Sequence, residues 1–90
     1  MEYPQIIKRV LLGPMHQPTG NTRHNINGVP MPAPVELRIV KYDVADRGYY
    51  LYYCDRFGTE MTYTYHDSVE EAMAQAEWEF NVKKDEWQNE

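Results

Sequence analysis

The sequence has 90 residues and a formal net charge of −5, with 42% hydrophobic and 26% charged residues. This length allows only one hydrophobic core, and this composition is that of a globular chain rather than a disordered one. The acidic balance argues against a general nucleic-acid binder, because phosphate contacts require clustered lysine and arginine side chains. We therefore expect a single domain over residues 1–90, with nucleic acid as the less favoured partner.

The cysteine content points to a reducing compartment. Cys54 is the single cysteine, so no intrachain disulfide can form, although secreted domains of this size usually contain several. The first residues lack the basic and apolar segments of a signal peptide, and no apolar run approaches the length of a membrane span. We expect a cytoplasmic protein without membrane association.

The first third of the chain predicts one strand and a long loop. Residues 5–12 are apolar and β-branched and end at Gly13, which is typical of a strand. Residues 13–34 contain five of the six prolines, which exclude a long helix or a central strand. A short hairpin is predicted at residues 26–29, where Asn27 and Gly28 suit a tight turn. Loops of this length are usually either functional or disordered, and the sequence leaves both alternatives open.

The middle of the chain predicts three antiparallel strands. Residues 35–42 alternate between apolar and polar types, and residues 49–54 and 60–65 are rich in tyrosine and threonine. Gly58 is placed where the turn between the last two strands needs a left-handed backbone conformation.

The turn geometry also predicts which side chains share a face of the sheet. With one bulge at Gly58, Tyr53 is expected opposite Met61 and Leu51 opposite Tyr63. The predicted core face then contains Tyr49, Leu51, Tyr53, Met61, Tyr63 and Tyr65. The predicted second face contains Tyr50, Tyr52, Cys54, Thr62, Thr64 and His66.

A helix is predicted over residues 68–82, followed by a tail over residues 83–90. Asp67 or Ser68 can cap its first turn, with an acidic side chain three residues later completing a capping box. One apolar stripe at helical spacing should cover the core face of the sheet; it comprises Val69, Ala72, Met73, Ala76 and Phe80. The predicted fold class is therefore α+β, an antiparallel sheet of three or four strands with one C-terminal helix packed on one face.

Trp78 is the strongest candidate for a binding residue. Its position in the helix is about two and a half turns after Val69, so its ring should point away from the sheet. With Val82 and Trp87 it forms either a docking patch or a small cluster closed by the folded-back tail. Both alternatives are kept.

Two further surfaces are candidates for binding. Tyr50 and Tyr52 belong to the second sheet face, which either stacks bases or a partner protein or is covered by the N-terminal strand or the loop. The helix carries an acidic band, which is either a solvated face or a contact surface for a basic partner; its members are Glu70, Glu71, Glu77 and Glu79.

No metal, cofactor or catalytic residue is predicted. The possible soft ligands His16, His24, His66 and Cys54 lack the spacing of a metal site. His66 and Asp67, at the start of the helix, are the one pair suited in principle to acid–base chemistry, but a pocket would have to lie beside them.

The sequence as a whole favours a small non-catalytic protein-interaction module, acting on a protein partner or on a second copy of the chain. Its size and acidity are those of inhibitor or immunity proteins. The alternative is a single-stranded nucleic-acid binder that uses Tyr50 and Tyr52, and an enzyme is the third choice.

Overall fold

The computed structural model describes residues 4–16, 19, 25, 26, 28–43, 45 and 47–90. The strands are β1 Gln5–Leu11, β2 Asn25–Ile26, β3 Val29–Pro30, β4 Glu36–Lys41, β5 Tyr49–Cys54, β6 Glu60–His66 and β7 Gln88–Asn89, and the helix α1 is Val69–Phe80. Five strands form one antiparallel sheet in the order β6-β5-β4-β1-β7. The α+β class is confirmed, with one strand more than the sequence predicted. In the described part of the chain, no helix is both long and apolar enough to cross a membrane.

The core lies between one face of the sheet and α1. Leu37 and Ile39 of β4 pair with Tyr53 and Leu51 of β5, and all four side chains are fully buried. The helix covers them with its predicted apolar stripe, because Ala72, Ala76 and Phe80 are buried while Val69 and Met73 pack against the same cluster. Burying one large apolar side chain contributes about 1.5–3 kcal/mol, so this layer supplies most of the stability of so small a domain.

Local interactions define both ends of α1. The Ser68 hydroxyl accepts a hydrogen bond from the Glu71 backbone N–H at 3.1 Å, and a Glu71 carboxylate oxygen accepts one from the Asp67 N–H at 2.9 Å. Of the two residues predicted to cap the helix, Ser68 is therefore the N-cap of α1. Asn81 ends the helix in the left-handed conformation with φ 61°, which asparagine adopts more readily than most residues. The helix is shorter than predicted because this turn redirects the chain.

The predicted turn geometry at Gly58 is confirmed. Gly58 has φ 81° and donates its backbone N–H to the Asp55 carbonyl at 3.0 Å, while the Asp55 N–H donates to Thr59 at 2.9 Å. The short hairpin is present as well, since Ile26 pairs with Val29 and Gly28 has φ 79°. Asn27, the other turn residue of that hairpin, lies outside the described residues.

The predicted faces of β6 are wrong, because a second irregularity follows the turn. Cys54 pairs with Glu60 as expected, but Tyr53 pairs with Thr62, so Met61 is an extra residue on β6. A one-residue insertion shifts every later side chain to the opposite face. Thr62 and Thr64 therefore lie beside the core residues of β5. Tyr63 and Tyr65 lie on the second face, with Tyr50 and Tyr52.

The C-terminal tail closes one edge of the sheet. After Asn81 the chain returns to the core with Val82, passes through the short 3₁₀ helix Lys84–Glu86 and buries Trp87 to 8% exposure. β7 then pairs with β1, and the Glu90 N–H donates to the Ile7 carbonyl at 3.2 Å. Trp87 is thus part of the main core rather than of a separate surface cluster.

The described residues show where parts of the two candidate covers lie. β1 is a member of the sheet, paired with β4, and so lies beside this face rather than across it. Two described loop residues contact the end of the helix and the tail. Thr19 donates its N–H to the Glu79 carbonyl at 2.8 Å, and His16 contacts the Glu86 carboxylate at 2.7 Å.

Candidate functional site

Five tyrosine rings form a continuous aromatic surface on the second face of the sheet, here called the tyrosine face; they are Tyr42, Tyr50, Tyr52, Tyr63 and Tyr65. Tyr50 is at the centre, with its ring centroid 5.0 Å from that of Tyr42, 5.4 Å from that of Tyr63 and 5.1 Å from that of Tyr65. These three pairs meet edge to face, an arrangement that the aromatic quadrupole favours. The rings therefore stabilise one another.

The side of the tyrosine face nearest to β6 is the most exposed. Tyr63 is 53% and Tyr65 50% accessible, whereas Tyr50 and Tyr52 are partly buried. The Tyr65 ring lies over Gly48, in the space that a β-carbon at position 48 would occupy. A residue without a side chain at this position is therefore what allows the ring to lie flat against the sheet.

The hydroxyl groups of this face are uncharged hydrogen-bonding groups. Tyr42 and Tyr52 share a hydrogen bond between their hydroxyls. Burial, with this hydrogen bond as the second cause, raises the pKa of Tyr52 above its ordinary value, so it stays protonated at physiological pH. Such a surface offers apolar area and neutral donors and acceptors.

An open groove of about 610 Å³ runs beside the end of β6; we call it the edge groove, and it is lined by Tyr65, His66, Asp67, Glu71, Ala74, Gln75 and Trp78. The four helix residues follow the spacing i, i+3, i+4 and i+7, so they form one stripe on α1. This stripe is separate from the core stripe. Trp78 is 48% exposed, which confirms the prediction that its ring does not enter the core.

His66 and Asp67, the pair considered for acid–base chemistry, both line the edge groove. The His66 Nε2 atom is 2.7 Å from the Thr64 hydroxyl. Burial lowers the pKa of His66, and the nearby acidic side chains only partly oppose this effect, so the ring is neutral at pH 7. A neutral imidazole in an open groove is a hydrogen-bonding group for a ligand.

A buried polar network lies beneath the groove, and sequence reasoning missed it. The Tyr53 hydroxyl donates to the Glu79 carboxylate, which also accepts from Gln75 Nε2 at 2.6 Å. Burial and this hydrogen bond raise the pKa of Tyr53. Glu79 is only 4% exposed, so its assignment to the solvated acidic band is wrong. Its spacing after Ala72 and Ala76 could have shown this, since those three positions share a helix face.

The other members of the acidic band are exposed. Glu70, Glu71 and Glu77 lie at the surface of α1, and Glu77 pairs with Lys83 beyond the helix end at 2.9 Å. The helix itself contains no lysine or arginine. Glu71 belongs to both the band and the edge groove, so the groove has a negative wall.

The basic side chains near the tyrosine face are already engaged. Glu36, 7% exposed, accepts from Arg38 Nε at 2.7 Å and lies 3.4 Å from Arg9 Nε. Lys41 lies 4.6 Å from the ring centroid of Tyr49, which packs on the core side. These cations therefore already contact groups of the protein, which would compete with a phosphate for them.

Cys54 is a buried structural residue. It is fully inaccessible, and burial raises the pKa of its thiol to about 11. Its thiolate fraction at neutral pH is therefore very small, which makes it a poor nucleophile or metal ligand. Within the described residues, no group of three histidine, cysteine, aspartate or glutamate side chains is arranged to hold a metal ion. His24 lies outside those residues.

The structure divides the predicted patch of Trp78, Val82 and Trp87. Val82 and Trp87 are buried in the main core, whereas Trp78 is about half exposed at the surface of α1. The left-handed turn at Asn81 is the reason, because it sends Val82 towards the sheet instead of continuing the outer helix face. Of the three, Trp78 is accessible to a partner.

No protein-family model matches the sequence, and comparisons with curated proteins and with solved structures found no match. The functional argument therefore depends on the chemistry of the surface around β6.

Proposed function

We propose that this chain is a small non-catalytic protein-interaction module whose contact surface surrounds β6. One observation carries this proposal: three aromatic rings, each about half exposed, belong to β6 or line the groove at its end. They are Tyr63 and Tyr65 on one side of the sheet and Trp78 on the other. Tyrosine and tryptophan are enriched at interface hot spots, because they bury much area with little loss of conformational freedom.

The neighbouring groups support a protein partner. The edge groove offers a neutral imidazole, a carboxamide and two carboxylates beside Trp78, a mixture of apolar and polar groups typical of interfaces. The exposed acidic residues Glu70, Glu71 and Glu77 favour a partner with basic character, since complementary charges accelerate association and select against wrong partners. An acidic inhibitor or immunity protein would have these properties.

The test is affinity capture from an extract of the organism that encodes the chain, with matched variants. In the first variant, Tyr63→Thr, Tyr65→Thr and Trp78→Gln remove the exposed rings around β6. In the control, Leu11→Thr and Met15→Gln remove two apolar side chains that are also exposed but lie elsewhere.

The proposal requires that a captured protein be lost with the first variant and kept with the control, while both variants melt near the wild-type temperature. Hydrogen exchange of the purified complex should then show new protection in β6. Equal capture by both variants, or protection confined to other strands, would refute the proposal.

The tyrosine face also favours a second candidate, a single-stranded nucleic-acid binder, because exposed tyrosine rings can stack on bases. The charge argues against it, since Arg9 and Arg38 contact Glu36 and the chain has a net charge of −5. We expect no binding of a fluorescent fifteen-residue oligothymidine at micromolar protein. Binding that weakens steeply between 20 and 200 mM salt would reverse this ranking.

A further inference from the structure

The inference concerns the free edge of β6 and rests on the proposed function, because it names the segment of a partner that the same surface would hold. Among the described residues, β6 has a hydrogen-bonded neighbour on one side only, namely β5. About half of the backbone N–H and C=O groups of such a strand point away from the sheet. They can accept another strand.

This edge lacks the usual protection against strand addition. Exposed edges are normally blunted by lysine, proline, a central bulge or a very short strand. Residues 62–65 are threonine and tyrosine in alternation, which favour β-structure and carry no charge. The bulge at Met61 lies near the hairpin end, so residues 62–66 remain regular over roughly 17 Å.

The edge groove lies beside the end of this strand, between Tyr65 and His66 of β6 and four residues of α1. Alternate side chains of an added strand would point into the groove and over the extension of the tyrosine face. The groove presents the carboxylates of Asp67 and Glu71 and the half-exposed ring of Trp78, and none of its seven lining residues is a lysine or arginine. Carboxylates combined with an indole ring are suited to an ammonium or guanidinium group.

We propose that the edge of β6 binds an extended segment of a partner protein as an added strand, with lysine or arginine side chains at alternate positions in the edge groove. Main-chain hydrogen bonds to β6 provide the pairing. The acidic and aromatic groove selects the basic face of the segment, and apolar or aromatic side chains on its other face continue the surface begun by Tyr63 and Tyr65.

The probe is a library of random ten-residue linear peptides displayed on phage and selected on the wild-type protein. The strongest peptide is then synthesised, and its affinity is measured for two double variants. Asp67→Asn with Glu71→Gln removes the charges of the groove but keeps groups that can cap α1. Glu90→Gln with Asp85→Asn removes the same charge from exposed residues outside the groove.

We expect selected peptides to carry lysine or arginine at every second position. Their affinity should fall about 3- to 30-fold in the groove variant, since exposed ion pairs are individually weak, and change less than twofold in the control. Methylation of single peptide nitrogens should abolish binding at alternate positions only, and hydrogen exchange should show protection in residues 62–66.

Any of four results would overturn the inference. The library yields no binder, the selected peptides have no basic bias, the peptide binds the two double variants equally well, or the methylation series shows no alternation. A wild-type dimer in sedimentation with β6 already protected would overturn it too, because a second copy would then occupy the edge. The proposed function is tested by a different result, because it is refuted only if the variant that lacks the rings of Tyr63, Tyr65 and Trp78 still captures the natural partner.

Discussion

The two edges of the sheet differ in whether another segment of the chain pairs with the outer backbone groups of the edge strand. At one edge, β7 has only two residues and pairs with Lys8 and Arg9 of β1. Trp87, just before β7, is buried, and Glu90, just after it, forms an ion pair with Arg9. β6 has seven residues, uncharged in its centre and bordered by exposed rings. The chain thus pairs its own tail with one edge strand, whereas no described residue pairs with the outer side of β6. This difference is why we assign the contact surface to β6.

The largest expected effect concerns the anchor of the closed edge. Trp87→Ala should lower the free energy of unfolding by about 3–5 kcal/mol, because it removes a buried ring from the core. Trp78→Ala is the matched control and should lower it by about 1 kcal/mol or less, since its ring is half exposed. Urea denaturation of both variants measures the difference. Equal losses would show that Trp78 also belongs to the core and would remove the contrast between the two edges.

Opening the closed edge should have a smaller effect. Deleting residues 88–90 removes the pairing of β7 with β1 and the hydrogen bond from Glu90 to Ile7, which should cost about 1–3 kcal/mol. It also exposes β1, so the protein should self-associate more at high concentration. Asn89→Ala, which keeps the backbone pairing, is the control for melting and sedimentation. A truncated chain as stable as wild type would mean that β7 contributes nothing to the edge.

At the open edge, Gly48→Ala should displace a ring of the contact surface. A β-carbon at position 48 would overlap the Tyr65 ring, which must swing outwards at a cost of about 1 kcal/mol. Weaker cross-peaks between the rings of Tyr50 and Tyr65 in an NMR spectrum would show the movement. Gly13→Ala is the control, because nothing lies within 4 Å of its added carbon. An unmoved Tyr65 ring would contradict this account of the face.

The smallest effect is a pH dependence at the end of β6. Burial lowers the pKa of His66 in the folded state below its unfolded value of about 6.5. Between these two values the unfolded chain binds more protons, so the stabilisation present above about pH 6.5 is lost as the pH falls through the folded pKa. His66→Gln should therefore be less sensitive to acidification from pH 7.5 to 5 in thermal denaturation. If the melting temperatures of wild type and variant fall equally between pH 7.5 and 5, His66 is solvated in the folded state.

Sequence patterns predicted the features that depend on local chemistry. Gly58 adopts the left-handed turn, the N-cap of α1 is Ser68, one of the two residues predicted for it, and the stripe ending at Phe80 faces the sheet. The outward position of Trp78 followed from the same helical spacing. In each case, the backbone conformation or periodicity of a few neighbouring residues contains the required information.

The features that depend on contacts distant in sequence were missed. The bulge at Met61 has no signal in its own residues, so the faces of β6 were exchanged. The return of Trp87 to the core depends on pairing with β1, which is some eighty residues earlier in the sequence. Trp78 and His66 were considered separately, and only the packing of α1 beside the end of β6 brings them into one groove.

The extra residue at Met61 also has a genetic consequence. Deleting this one codon would place Thr62 directly after Glu60 and give a regular ladder between β5 and β6 in which Tyr53 still pairs with Thr62. Tyr63 and Tyr65 would therefore stay on the tyrosine face, and Thr62 and Thr64 would stay beside the core residues of β5. A three-base deletion here would thus remove the bulge and keep the amphipathic phase of the strand, so the bulge is one residue that this strand can lose without exchanging its faces.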